Sequence, residues 1–293
     1  MKFTNKHNLP PTLVRLLTKE RYEGAGDISV TTLIGPPQIN VLRKKHEEDR
    51  EVDVSNLIYS VMGTAIHSLL EECEDENDLA EERLVIPIKT PLGTMDLSGK
   101  PDLLDSKGNL RDYKVTSGWT VRHGDVKDEW EAQLNIYKWM LEQKGHKVKR
   151  LVIEAIIRDW SPSNALRIDG FPKCAHQSCY IRSWPKEKVE NYIMNRMMSH
   201  LQALEGVPIG CTDEERWAKP SKHAVMKPGR RSAIKLFEEY QVVEAHSMAM
   251  DLGKGHYVEF RPGENIRCDK YCDVANFCPQ YATIKDINEK QNS

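Results

Sequence analysis

An acidic residue and a lysine stand two positions apart in the stretch "LRDYKVTSGW", residues 110–119. Because strand side chains alternate between two faces, Asp112 and Lys114 should point to the same face of a predicted strand. The pair is either an exposed ion pair on a sheet edge or part of a catalytic centre. A carboxylate beside a lysine can help to bind a divalent cation and to stabilise developing negative charge, as phosphodiester hydrolysis requires.

That chemistry needs more than one lysine. Enzymes lower hydrolytic barriers by roughly 8–23 kcal/mol, whereas one preorganised donor supplies about 3–4 kcal/mol, so we expect a metal ion with oxygen ligands. Magnesium and manganese prefer such ligands. Asp102 in "SGKPD" supplies a second carboxylate, because "SKGN" (residues 106–109) has the composition of a tight turn that brings Asp102 beside Asp112. Alone, both aspartates are equally ordinary turn residues.

A helix is predicted over "SNLIYSVMGTAIHSLLEECEDE", residues 55–76. Its buried face should carry the apolar residues that recur with helical spacing: Ile58, Val61, Met62, Ala65 and Leu69. Gly63, His67 and Glu71 form a separate stripe, in which His67 offers a ring nitrogen and Gly63 leaves room for a substrate strand. Taken alone, His67 is more often an ordinary helix histidine than a metal ligand.

Four motifs, "GTAIH", "GKPD", "DYK" and "QLNIY", follow one another between residues 55 and 160. In this order they resemble the PD-(D/E)XK nuclease superfamily, in particular its RecB-like exonuclease branch. The resemblance implies a set of Mg²⁺ or Mn²⁺ ligands: His67, Asp102, Asp112 and the backbone carbonyl of Tyr113. It also implies that Lys114 is the catalytic lysine. Gln133 and Tyr137 match the branch's Q-x-x-x-Y motif, which contacts substrate and supports the lysine.

The other predicted elements can position these residues. Strands at 83–90, 93–105 and 110–117 form a meander, and a helix over 128–145 begins with a capping pair, Asp128 and Glu131, and stops at Gly145. Two strands, "RLVIEAIIRDW" and "SCYIRSW", and a long helix follow. We expect an α/β, restriction-endonuclease-like fold with a mixed β-sheet flanked by helices. Its expected parts are a helical N-terminal segment (1–55), the nuclease core (56–205) and a loop-rich C-terminal region (206–293) packed on the core.

The C-terminal stretch "CDKYCDVANFC" carries three closely spaced cysteines: Cys268, Cys272 and Cys278. The chain has 7 cysteines and no recognisable secretory signal, so a metal site is favoured over a disulfide framework. Cys174 and Cys179, with His176 between them, are a weaker candidate site and are interpreted as a loop before a strand.

This cysteine cluster resembles that of AddB-type and CRISPR-associated nucleases, which hold an iron–sulfur cluster with three C-terminal cysteines and one earlier cysteine. In "VTTLIGPPQINVLRKKH", Pro36 and Pro37 stand at that earlier position. Cys211 in "GCTDEERW" is our preferred fourth ligand. Four cysteines suit either Zn²⁺ or a 4Fe–4S cluster, and their spacing leaves both open.

The net charge of −2 argues against a nonspecific nucleic-acid coat protein, so DNA binding would need a local basic patch. Residues 219–235 hold six cations and no acid: Lys219, Lys222, Lys227, Arg230, Arg231 and Lys235. Such a run is equally often plain solvated surface. Without a signal peptide or a long apolar run, we expect a cytoplasmic protein that does not contact membranes.

These observations predict a metal-dependent DNA nuclease, with exonuclease activity implied by the resemblance, in recombination, repair or phage DNA processing. The sequence resembles stand-alone proteins that bacteriophages and their hosts carry. It has no P-loop, so a helicase, or a recombination protein acting with it, would be a separate chain. Two alternatives remain: a nuclease fold that binds nucleic acid or a partner without cutting, and a nuclease that acts on RNA or on flap structures.

Overall fold

The structure of the chain, a computed structural model, describes residues 1–19, 25–73, 75, 78–80 and 82–292. It divides into two compact units. The first comprises Met1–Pro37 and Glu51–Pro208, and the second comprises Gln38–Arg50 and Ile209–Ser293. The predicted segment boundaries after residues 55 and 205 stay predictions. None of the helices in the described ranges is long and apolar enough to cross a membrane.

The described strands are β1 Lys2–Thr4, β2 Ile28–Ser29, β3 Glu51–Asp53, β4 Leu79–Ala80, β5 Leu84–Thr90, β6 Gly93–Gly99, β7 Leu103–Leu104, β8 Asn109–Thr116, β9 Arg150–Ile157, β10 His176–Ile181, β11 Ala218–Lys219, β12 Lys222–Met226, β13 Lys235–Glu238, β14 Tyr257–Arg261 and β15 Glu264–Asn265. The described α-helices are α1 Pro11–Leu17, α2 Val30–Ile34, α3 Pro37–Lys45, α4 Ile58–Glu71, α5 Asp128–Gln143, α6 Pro162–Arg167, α7 Lys186–Leu204, α8 Asp213–Arg216, α9 Val242–Asp251, α10 Ile266–Lys270 and α11 Pro279–Asn292. Short 3₁₀ helices lie at Val54–Leu57, Arg122–Gly124, Glu239–Gln241 and Ala275–Phe277.

The first unit is built around a five-stranded sheet with the order β10-β9-β8-β7-β4. Strands β8 and β9 are parallel, with Asp112 opposite Ile153 and Lys114 opposite Ala155, while the other neighbours are antiparallel. The apolar run of β9 lies between β8 and β10, as its composition predicts. A mixed sheet flanked by helices confirms the predicted fold class.

The predicted strand over residues 93–105 is divided in the structure. Strand β6 pairs with β5 and β2 in a separate three-stranded sheet, whereas β7 pairs with β8 in the five-stranded sheet. Pro101, which has no backbone N–H to donate to a ladder, lies between the two strands. The single meander is therefore wrong, and Asp102 sits immediately before β7.

Helix α5 packs its buried side chains, including Leu134 and Met140, into the core that contains Leu110 and Ile153 of the sheet. The helix ends just before Gly145, as predicted. The predicted capping pair is wrong, because the N-cap residue is Lys127 and no side chain caps the helix. The carboxylate of Glu131 instead accepts a hydrogen bond from the indole N–H of Trp184.

Helix α4 is present at Ile58–Glu71, and the predicted Glu74 and Glu76 lie outside the described residues. Its predicted buried face is wrong, since none of its residues is buried, and Met62 and Leu69 are 39% and 61% exposed. The apolar faces of the sheets are covered by other helices, α2, α5 and α7. Helix α4 packs on β8 and on the 3₁₀ turn that precedes it.

The second unit contains more strands and helices than a loop-rich region was predicted to have. Strands β13, β12 and β14 form an antiparallel sheet, and α9 packs on it through a small core of Val225, Phe237, Ala245 and Ala249. A second core joins Ile39 and Leu42 of α3 to the cysteine-containing segment around Val274. Arg43 and Arg50 both pair with Asp273 beside this second core.

Candidate active site

The centre of the candidate site is the point on β8 where its pairing with β7 ends. Leu103 and Leu104 pair with Arg111 and Leu110, so Asp102 continues this register opposite Asp112. The backbone N–H of Tyr113 donates a hydrogen bond of 2.8 Å to the carboxylate oxygen Oδ2 of Asp102. The turn predicted before β8 therefore brings both aspartates to one place.

Asp112 is a buried carboxylate that lacks a full set of partners. Its side chain is 1% exposed, and neither of its oxygens receives a directed hydrogen bond from the described part of the chain. The ammonium nitrogen of Lys114 lies 2.6 Å from Oδ2, so the contact is ionic but poorly directed. Burial raises the pKa of Asp112 to about 6, although the Lys114 charge opposes the rise.

His67 and Asp102 form a second contact beside this pair. The ring nitrogen Nδ1 of His67 lies 3.3 Å from Asp102 Oδ2, and the resulting hydrogen bond raises the pKa of His67. The two residues also act on Asp112, since the Asp102 charge raises its pKa and the His67 charge lowers it. The four predicted residues of the catalytic set are thus electrostatic neighbours.

Gln133 and Tyr137 lie on the inner face of α5 and are 9% and 5% exposed. The side-chain amide of Gln133 donates a hydrogen bond of 3.3 Å to the Tyr137 hydroxyl, and burial raises the pKa of Tyr137. Sequence reasoning missed Gly99, directly before "KPD". A Cβ added to Gly99 would lie 2.8 Å from a Tyr137 ring carbon, so glycine is required for this packing.

The donor chemistry of this site fits a divalent cation. Carboxylates are the ligands that Mg²⁺ and Mn²⁺ prefer, and the Asp112 oxygens, which contact Lys114 but receive no well-directed hydrogen bond from the described residues, have lone pairs left for a cation. Within the described residues, no group of three or more His, Cys, Asp or Glu side chains is already arranged to hold a metal ion. The contacts instead form two pairs, His67 with Asp102 and Lys114 with Asp112.

The four cysteines of the predicted second metal site line one cavity in the second unit: Cys211, Cys268, Cys272 and Cys278. Nine other residues, among them Ile39, Leu42 and Val274, line the same cavity, whose volume of about 10 Å³ is about the room for one water molecule. Burial raises the pKa of Cys211 to about 12, and neighbouring thiols, Cys278 and Cys268, add to the rise. Gln38 of α3 donates a hydrogen bond of 3.2 Å to the sulfur of Cys278.

The weaker cysteine pair is not gathered into a site. Cys174 is exposed in the loop before β10 and contacts the His176 carbonyl oxygen at 3.1 Å, whereas Cys179 is buried within the strand. The ring of His176 instead faces Glu154, with 2.9 Å between Nε2 and Oε2. This arrangement agrees with a loop followed by a strand.

In the predicted basic segment, some cations pair with carboxylates or a ring of the described chain, and others lie in an exposed turn. Lys219 pairs with Glu264 at 3.6 Å, Lys222 pairs with Glu238 at 3.0 Å, and Lys235 lies over the Phe237 ring. The remaining three occupy the exposed turn between β12 and β13: Lys227, Arg230 and Arg231. This turn is the part of the segment that is open to a polyanion.

Comparisons with known proteins identify the family. The sequence model of the PD-(D/E)XK nuclease superfamily matches residues 76–279. No curated protein is significantly similar in sequence. One similar solved structure, described as "Crystal structure of SSO0001", is 15% identical, with coverage of 64% of this chain and 84% of that chain and a TM-score of 0.41. Because the matched residues form more than half of the sequence, this chain belongs to the PD-(D/E)XK nuclease superfamily, whose members are usually metal-dependent nucleases.

Proposed function

We propose that this protein is a divalent-metal-dependent DNA exonuclease of the RecB-like branch. The observation that carries the proposal is Asp112, a buried carboxylate that receives no well-directed hydrogen bond from the described residues, in contact with Lys114 and beside the His67–Asp102 pair. Burial of an ionised carboxylate is costly, and the Lys114 charge offsets this cost only in part, because the pKa of Asp112 stays raised. A bound cation and a neighbouring lysine could together activate a water molecule and neutralise charge at phosphorus, as phosphodiester hydrolysis requires.

Asp102, Asp112 and His67, with the Tyr113 carbonyl, would hold Mg²⁺ or Mn²⁺. When bound, such a cation supplies Lewis acidity at a phosphoryl oxygen and makes a water molecule more acidic. The hydrogen bond from the Tyr113 N–H fixes the Asp102 carboxylate against the strand, so one ligand is held in place before an ion arrives. His67 must lose its proton to act as a ligand.

Lys114 has the role of orienting the attacking water and stabilising negative charge on the phosphoryl group. Its side chain is 22% exposed, so the ammonium is partly open to substrate while Asp112 fixes its position. A single preorganised donor of this kind contributes about 3–4 kcal/mol to catalysis. Gln133 and Tyr137 are proposed to contact substrate and to support Lys114, as the Q-x-x-x-Y motif implies; their mutual hydrogen bond holds the two side chains together on α5.

The exposed turn of the basic segment is proposed to hold DNA phosphates. Lys227, Arg230 and Arg231 provide charge for this contact, whereas the ion pairs of Lys219 and Lys222 reduce their contribution. Binding through phosphates releases counterions and therefore weakens as the salt concentration rises.

The cysteine cavity is proposed to hold a structural metal centre with Cys211, Cys268, Cys272 and Cys278 as its ligands. Four cysteines suit either Zn²⁺ or a 4Fe–4S cluster, so both centres remain open in this proposal. Metal analysis of anaerobically purified protein and its visible absorption spectrum distinguish these two centres. A Cys211→Ser variant should lose bound metal if this residue is the fourth ligand.

The cellular role proposed is the processing of DNA ends in recombination, repair or phage DNA metabolism, inside a bacterial cell. A separate helicase or recombination protein would supply the strand that is degraded. The support for this role is the motif order together with membership of the nuclease superfamily.

The test is a cleavage assay on labelled linear and circular DNA, single-stranded and duplex, with Mg²⁺, with Mn²⁺ or with a chelator. Lys114→Ala should abolish cleavage and leave DNA binding largely intact. Lys107→Ala is the matched control, because this lysine is exposed in the neighbouring turn and should cut normally. Binding without cleavage by the unmodified protein would support the non-cutting alternative. Faster cleavage of RNA or flap substrates in the same panel would overturn the choice of DNA ends.

A further inference from the structure

Two exposed aromatic side chains lie near the carboxyl ends of the parallel strands β8 and β9. Beyond Lys114, the strands end side by side, with the backbone N–H of Arg158 donating to the Thr116 carbonyl at 3.0 Å. In open α/β sheets, ligands bind outside the carboxyl ends of parallel strands. Any strand of substrate that extends from the catalytic residues in this direction meets the side chains around Arg158.

Tyr59 is the first of these aromatic residues. It stands four positions before Gly63 and eight before His67 on α4, so the three share one helix face and span roughly 12 Å. The Tyr59 ring is 60% exposed, and the guanidinium carbon of Arg158 lies 4.5 Å from its centre. A Cβ added at Gly63 would meet no atom within 4 Å, so the face between Tyr59 and His67 is open.

Trp119 is the second aromatic residue, in the loop that follows β8. Its ring is 54% exposed, and the guanidinium carbon of Arg122 lies 5.8 Å from the ring centre. The edge of Trp119 packs on Phe171 at 5.7 Å, and Phe171 fills the space that a side chain at Gly118 would need. Arg122 is held by a hydrogen bond of 2.6 Å to the Asp169 carbonyl. The tryptophan is therefore fixed while one part of its ring stays open.

The rings of Tyr59 and Trp119 are more exposed than the other aromatic rings that contact a cation among the described residues. Trp130, Phe237 and Tyr281 are 9%, 7% and 7% exposed, so their rings serve the core. Among all such pairs in the described chain, only Tyr59 and Trp119 have rings that are more than half exposed. An exposed ring with an adjacent arginine offers both a stacking surface and a positive charge, and an unpaired nucleotide supplies a base and a phosphate to match.

We propose that Tyr59 and Trp119 stack unpaired bases, and that Arg158 and Arg122 neutralise the adjoining phosphates, of a single strand that leads to the catalytic residues. The inference rests on the proposed nuclease function and makes its substrate class specific. The preferred substrate is single-stranded DNA or the frayed end of a duplex, because paired bases cannot present their faces to these rings. Tyr59 and Trp119 are positioning residues and take no part in bond breaking.

The test measures binding of the full chain, with a chelator present, to two labelled oligomers of equal length and charge. One is oligothymidylate and the other carries abasic sites throughout, so only the first can stack. Tyr59→Ala and Trp119→Ala should each weaken thymidylate binding roughly 5- to 100-fold and leave abasic binding unchanged. Tyr59→Phe should retain wild-type affinity. Tyr180→Ala is the matched control, because Tyr180 is 71% exposed on β10 and roughly 20 Å of strand from Arg158.

Equal losses for both oligomers, or no loss in either alanine variant, would overturn the inference. A second measurement uses the unmodified protein, so it does not depend on how any variant folds. An oligomer that contains 2-aminopurine should lose fluorescence on binding if the base stacks on an aromatic ring, and unchanged fluorescence in the bound state would also overturn it. Since neither experiment requires cleavage, a chain that stacks bases but cuts no DNA would refute the proposed function alone. Normal cutting without stacking would refute only this inference.

Discussion

Without metal, the Asp112→Asn variant should gain stability over the wild-type protein as the pH rises. The substitution keeps the shape of the side chain and removes its charge. In the folded protein, burial raises the pKa of Asp112 from its ordinary value of 3.8 to about 6. The unfolded chain therefore loses this proton first, and between the two pKa values the folded state holds more protons. The stability that depends on this group is present at low pH and is lost as the pH rises through about 6.

The size of the effect follows from the same shift. Each tenfold change in acidity corresponds to about 1.4 kcal/mol, so ionised Asp112 lowers the free energy of unfolding by about 3 kcal/mol at neutral pH. Asparagine cannot ionise, so the variant does not lose stability in this way as the pH rises. The difference in unfolding free energy between Asp112→Asn and the wild type should rise by about 2 kcal/mol from about pH 4 to about pH 7, because the unfolded carboxyl is already more than half ionised at the lower pH. If the asparagine amide itself changes the unfolding free energy by a fixed amount, that amount is the same at every pH and does not affect the rise.

The assay is urea unfolding followed by fluorescence, with a chelator, at a series of pH values for both proteins. A parallel series with saturating Mg²⁺ should show a smaller rise, because a bound cation stabilises the ionised carboxylate of the wild type. Asp105→Asn is a control, since Asp105 lies in the adjacent turn: burial raises its pKa, but hydrogen bonds from Asn109 and Arg111 together bring it below the ordinary value of 3.8. The stability that depends on Asp105 is therefore lost only below that value, and the Asp105→Asn difference should stay nearly flat from about pH 4 to about pH 7. A flat difference for Asp112→Asn would refute the claim that the burial of this carboxylate outweighs its compensation by Lys114.

Three further predictions follow from other contacts. Mn²⁺ affinity, measured by calorimetry, should fall as the pH drops through the raised pKa of His67, because only the neutral ring binds metal. The His67→Ala variant should bind Mn²⁺ more weakly, and its affinity should depend less on pH. The same pH profile in the variant and the wild type would contradict the role of His67 as a ligand. Gly99→Ala should cost about 1–3 kcal/mol in urea unfolding, because its Cβ would overlap the Tyr137 ring, and an unchanged midpoint would contradict this close packing. Neutralising Lys227, Arg230 and Arg231 together should lower the slope of log affinity against log salt by about 2–3, whereas an unchanged slope would remove the basic turn from the DNA contact.

Much of the site could be predicted because its motifs are local. The turn before β8 and the alternation of strand side chains place Asp102, Asp112 and Lys114 together, and each feature depends on only a few neighbouring residues. The contact of His67 with Asp102 joins a helix to this hairpin. The sequence indicated that contact only through the order of motifs, because helical periodicity does not say which strand a helix face meets.

The errors came from features that depend on distant parts of the chain. Helix α4 has the apolar spacing of a buried helix, but other helices already cover the sheets, so its face stays accessible. The split between β6 and β7 depends on which sheet each strand joins, and their common hydrophobic pattern does not encode that choice. The contact of Trp119 with Phe171, more than fifty residues away, likewise has no local signal in the sequence.

The most direct test of the catalytic site is to locate Mn²⁺ by anomalous scattering in crystals of this protein. We predict one or two peaks in contact with the carboxylates of both Asp102 and Asp112, with His67 beside them, and no peak there in crystals of Asp112→Asn. Manganese bound elsewhere, in crystals of a protein that cuts DNA in the same buffer, would contradict the assignment of this site.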